Sequence, residues 1–95
     1  MADQVAPTLI YSGHTDVAVA GTQVTLGAAA VIRSVIIRAN ATNTQNIYVG
    51  PAAVAAATGY ILAPGESMAI AIAARGTVWI DADVNGEGVS YLAVA

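Results

Sequence analysis

The chain has 95 residues, of which 57% are hydrophobic and 9% charged, with no cysteine and a formal net charge of −3. That length fits one domain of about 100–150 residues. The low charge excludes a disordered chain, and the missing cysteines exclude a disulfide framework or a thiolate metal site.

Arg33, Arg38 and Arg75 are the only basic residues besides His14. They cannot form the stripe that neutralises phosphates, so no nucleic-acid partner is expected. No membrane partner is expected either, since a spanning helix needs about 20 continuous apolar residues. The longest uncharged stretch, from Arg38 to Glu66, is broken by Asn40, Asn43, Gln45, Asn46, Gly50, Pro51, Gly59 and Pro64. The opening Met1-Ala2-Asp3-Gln4 lacks the basic and apolar segments of a secretory signal, which favours synthesis and use in a cytosol. Much of the apolar fraction is alanine. Alanine offers little area at roughly 25 cal/mol per Å². A thin core is therefore expected, with apolar surface left to bury against copies of the chain or a larger partner.

In chain order, residues 1–16 read as an extended N-terminal arm with a short strand at 8–11. Leu9, Ile10 and Tyr11 are its apolar anchors and the candidate interface residues. Residues 17–95 read as one β domain. Residues 16–20 alternate, with Val17 and Val19 on one face. Gly21-Thr22 marks a turn, and 23–26 a short strand. Residues 31–39 give the strongest strand signal, rich in β-branched side chains. Neither of its faces is cleanly apolar when drawn straight, so a bulge or bend near Arg33-Ser34 is expected. Residues 36–49 then read as a hairpin with its loop at 40–45. Residues 51–58 are either one or two helical turns opened by Pro51 or an irregular loop.

Residues 60–63 are extended, because the residue before Pro64 avoids the helical region. Pro64-Gly65 is a type II turn signal. Residues 67–73 alternate, with Met68, Ile70 and Ile72 inward. Arg75-Gly76 turns the chain into a strand at 77–81. Asn85-Gly86 is the strongest hairpin signal and predicts pairing of 79–83 with 89–94. Short strands with frequent turns predict an all-β sandwich or barrel.

Three constellations could carry chemistry. Ser12, His14 and Asp16 are the residue types of a hydrolase triad, but on a strand they stand about 6–7 Å apart. A triad needs consecutive hydrogen-bond contact, so a solvated polar edge is expected and no enzyme. Asp81-Ala82-Asp83-Val84-Asn85-Gly86 matches the front half of a calcium loop, with Asp81, Asp83 and Asn85 as candidate ligands. Leu92 stands where the twelfth-position glutamate belongs, and a hairpin explains the same residues without metal. Trp79 with Tyr11, Tyr48, Tyr60 and Tyr91 could form a glycan platform, or fill core and interface. Arg33 and Arg38 are expected to pair with carboxylates. No phosphate loop, dinucleotide fingerprint or zinc spacing occurs, and no cofactor is implied.

From residue 31 onward the wording VIIRA (35–39), NTQNIYVG (43–50), GYILAPGE (59–66), TVWI (77–80) and VSYLA (89–93) resembles small accessory proteins of tailed-bacteriophage virions. The resemblance implies a β-sandwich or jelly-roll fold and a structural role, above all that of a capsid decoration, or cement, protein. It implies the major capsid protein as partner, a homo-oligomer such as a trimer, and a place on the virion after synthesis in the host cytoplasm. The arm would then reach a neighbouring sheet edge. A glycan- or receptor-binding module of a phage fibre or tail is the alternative.

Overall fold

The computed structural model describes residues 8–27 and 30–95. Eight strands form: β1 (Ile10–Asp16), β2 (Val24–Thr25), β3 (Ser34–Ala39), β4 (Ile47–Gly50), β5 (Tyr60–Leu62), β6 (Ser67–Ala71), β7 (Trp79–Ala82) and β8 (Gly88–Val94). A single 3₁₀ turn over Arg75–Thr77 precedes β7. The strands make two four-stranded sheets, ordered β1-β8-β3-β6 and β2-β7-β4-β5. Every pair is antiparallel. Among them β1 meets β8, β2 meets β7, β3 meets β6 and β4 meets β5. The chain is thus one long double strand, with its tip at the β4–β5 connection, rolled up into two sheets. This is the all-β jelly roll.

The two sheets bury one core between them. Val35, Ile37, Ala39, Val89 and Ala93 come from the first sheet, and Ile47, Val49, Leu62, Ile80 and Ala82 from the second. Val17, Leu26, Ile32 and Val78 close it from the connections. The expected bend in the third strand is present. Ile32 is buried, Arg33 is exposed, and Val35, Ile37 and Ala39 are buried. Inward parity therefore changes between 32 and 35, which resolves the conflict of faces. The Pro64-Gly65 turn also forms, with Gly65 at φ +83° and the Glu66 N–H donating to Ala63 O at 2.9 Å. In β6, Met68 and Ile70 turn towards the core while Ser67, Ala69 and Ala71 are exposed.

Four expectations are corrected. Residues 36–49 are not a hairpin, because β3 lies in the first sheet and β4 in the second. β7 and β8 do not pair either. Asn85-Gly86 turns the chain from one sheet to the other, and the Gly86 N–H donates to Val17 O (2.7 Å). Local turn chemistry is the same whether a chain folds back onto its neighbour or crosses to the facing sheet. Residues 16–20 do not alternate as a strand, since Val17 is fully buried while Val19 is 55% exposed in a turn. Finally, the arm ends earlier than residue 16. Residues 10–16 are β1, paired with β8 from Ile10↔Val94 to Asp16↔Gly88. Of the rest of the arm, Thr8 and Leu9 donate their N–H groups to Ala95 O (2.8 Å each), and residues 1–7 lie outside the described residues. Residues 51–58 take the loop alternative, with turns and no helix.

Candidate functional site

The outward faces of the two sheets differ. On the first sheet, strand register aligns three rows: Ile10, Val94, Ser34 and Ala71; Ser12, Leu92, Ile36 and Ala69; His14, Ser90, Arg38 and Ser67. The first two rows are mostly apolar and the third is polar. Ile10 is 71% exposed, Ile36 48% and Leu92 44%. A shallow depression lies on this face, lined by Ile36, Arg38, Ser90, Tyr91 and Leu92. Arg38 Nε donates to Gly65 O (3.3 Å), which draws the guanidinium towards the β5–β6 turn.

On the second sheet the outward residues of β4 and β7 include Tyr48, Trp79 and Asp81, and the loop at 51–59 folds back onto Tyr48 and Gly50. Val54 is buried, and its N–H donates to Gln23 Oε1 (3.0 Å). Gly59 lets this loop touch the sheet, for a Cβ there would stand 2.5 Å from Tyr48 Cβ. The Tyr48 hydroxyl donates to Asp83 Oδ2 (2.8 Å). That hydrogen bond, with burial behind it, holds the phenol above its ordinary pKa.

The candidate calcium residues are each engaged by the protein. Asp81 Oδ1 accepts from the Gly21 N–H (3.0 Å) and the Ala82 N–H (2.8 Å). Asn85 Oδ1 accepts from the Ala20 N–H (2.7 Å). Asp83 accepts from Tyr48. These bonds hold the 17–22 loop against the end of the second sheet. Among the described residues, no group of three or more His, Cys, Asp or Glu side chains is placed to hold a metal ion.

Ser12, His14 and Asp16 alternate on the exposed face of β1. They occupy successive rows of one strand, the arrangement that keeps them apart. The aromatic residues are also separated. Tyr11 and Tyr91 face inward and flank the buried Arg75, whose guanidinium carbon lies 5.6 and 5.3 Å from their ring centroids. Arg75 Nη1 also donates to the Tyr91 hydroxyl (3.0 Å). Tyr48 is buried, Trp79 half-buried, and Tyr60 alone is widely exposed at 61%. Of the interface candidates, Leu9 and Ile10 are exposed, whereas Tyr11 belongs to the Arg75 cluster.

Sequence reasoning missed Arg75 as a buried cation. Gly13 and Gly27 are its indirect signature. A Cβ at Gly27 would meet Arg75 Nε at 2.8 Å, and one at Gly13 would meet the Tyr91 hydroxyl at 2.8 Å. It also missed the seam joining the sheets at their other end. There the Asn43 side chain donates to Gly88 O (2.8 Å), and Glu87 accepts from the Thr44 N–H, the Thr44 hydroxyl and the Gln45 N–H. Partial burial opposes the Glu87 charge, but those three bonds outweigh it and hold its pKa below the ordinary carboxylate value.

No family model, no curated protein and no solved structure matches this chain. Among the described residues, no helix is long and apolar enough to cross a membrane.

Proposed function

We propose that this chain is a structural subunit of a phage particle, most specifically a decoration protein bound to the major capsid protein of the assembled head. The observation that carries the reading is the first sheet's outward face, where Ile10, Ile36, Leu92, Val94, Ala69 and Ala71 form an apolar surface that no loop among the described residues covers. Contiguous apolar surface of this kind marks contact with another protein. Jelly rolls serve in viral shells and also in lectins, so the fold alone is an analogy. The resemblance of residues 31–93 to virion accessory proteins adds to it. The mechanism is passive: a protein that binds the assembled shell and not its free subunits stabilises the shell by mass action.

The glycan-binding alternative needs an exposed ring platform. With Tyr48 buried, Trp79 half-buried and Tyr11 and Tyr91 engaged with Arg75, only Tyr60 offers a free ring. No catalytic role is proposed. The test is quantitative recovery of the chain with intact particles. Hundreds of copies per particle support a shell component. A handful would place it in a tail or vertex, and none would end the reading.

A further inference from the structure

We infer that the free edge of β1 is a self-pairing edge: β1 of one copy adds antiparallel to β1 of a second copy, joining their first sheets into one continuous sheet. The inference rests on the reading that this chain assembles, and it names the surface through which copies meet.

Each sheet has two edge strands, and native sheets blunt such edges by shortness, proline, charge or a bulge. β2 has two residues and β5 three. β6 has five and follows directly on the Pro64-Gly65 turn. β1 has seven residues, with no proline, lysine or arginine, and its register with β8 runs without a bulge. It is therefore the longest edge among the described strands, and Asp16 at its end is its one carboxylate.

The direction of its backbone groups is set by its other side. Leu9 and Ala95 exchange two hydrogen bonds (2.8 and 2.9 Å), and the Val17 N–H donates to Glu87 O (2.9 Å). Odd-numbered residues thus bond towards β8. Antiparallel alternation then leaves the N–H and C=O groups of Ile10, Ser12, His14 and Asp16 on the outer side. All four residues are exposed.

That array matches itself. With the two-fold axis at Gly13, Ser12 of one copy faces His14 of the other, and Ile10 faces Asp16, all as hydrogen-bonded pairs. Gly13 faces Gly13 as the non-hydrogen-bonded pair, whose Cα atoms approach to about 4.5 Å. No two like charges oppose each other in this register. A same-edge contact is isologous, so it closes as a dimer and does not run on into a filament.

The experiment uses the purified full chain. Sedimentation equilibrium from micromolar to sub-millimolar concentration, with amide hydrogen exchange at both ends of the range, gives the two readouts. A dimer is expected, with the Ser12 and His14 amides slowed about tenfold or more as it forms. Ser12→Pro removes an outward N–H and no bond to β8, so it should stay folded and become monomeric. If that variant loses its circular dichroism signature, Ser12→Lys, which keeps the backbone donor and adds an edge charge, serves in its place. A chain monomeric throughout, an association that survives in the folded variant, or unprotected Ser12 and His14 amides in the oligomer would each overturn the inference. Particle binding is scored separately. A dimer that ignores particles ends the decoration reading and keeps the edge, whereas a variant that binds particles as a monomer, from a monomeric parent, does the reverse.

Discussion

Ile36 and Tyr48 both point away from the core, at the centre of their respective sheets, yet one is 48% exposed and the other 7%. The strands are alike; the connections are not. The second sheet keeps the 51–59 and 17–22 loops, which lie over Tyr48 and Asp81. Among the described residues, the first sheet keeps none over Ile36 and Leu92. In a jelly roll each sheet has an inner face supplied by the other sheet and an outer face that must find its own cover. Here the described residues cover the centre of one outer face, at Tyr48 and Asp81, and leave the centre of the other, at Ile36 and Leu92, bare.

The largest expected effect comes from removing the covered outward side chain. Tyr48→Ala should cost about 3–5 kcal/mol, the range for truncating a buried aromatic. Ile36→Ala, at the matching place on the bare face, should cost about 1 kcal/mol or less. Denaturant midpoints for the pair measure this directly, and equal costs would erase the contrast between the faces. A smaller effect is expected from Gly59→Ala. Its new Cβ would stand 2.5 Å from Tyr48 Cβ and 2.9 Å from Val54 Cγ2. Lifting the loop to relieve that overlap should cost about 1–3 kcal/mol, and should raise the access of a quencher to Trp79 fluorescence.

The smallest effect lies at the seam where the sheets are tied. Glu87 has its pKa lowered by the Thr44 and Gln45 bonds. Its stabilising contribution is therefore present above the ordinary glutamate value and is lost as pH falls through the depressed folded value. Glu87→Gln should leave stability in strong acid unchanged and lower it modestly near neutrality. Thermal midpoints across the acid range would show the two curves converging as pH drops.

Much of this was legible where a local rule sufficed. The parity conflict in residues 31–39 demanded a bend, and Arg33 supplies it. Pro64-Gly65 fixed its turn type through glycine's positive φ. The alternation of residues 67–73 gave the inward face of β6. Pairing was not legible, because β1, β2 and β3 meet partners from the far end of the chain, and only the β4–β5 pair is local. Asn85-Gly86 therefore predicted a hairpin and delivered a sheet crossing. The bare face could be anticipated only as an excess of alanine. Its location needed the register that places Leu92 beside Ile36.

Decoration of a shell requires that the bare face of the first sheet be the one that docks. The direct measurement is the binding of folded charge variants to particles stripped of this protein. Ile36→Glu combined with Leu92→Lys, an opposite-charge pair across the β3–β8 register, should abolish binding while lowering the thermal midpoint only modestly. Ile61→Glu, an equally exposed position on the outward face of the second sheet, should bind as the parent does. Binding retained by the first variant and lost by the second would contradict the account.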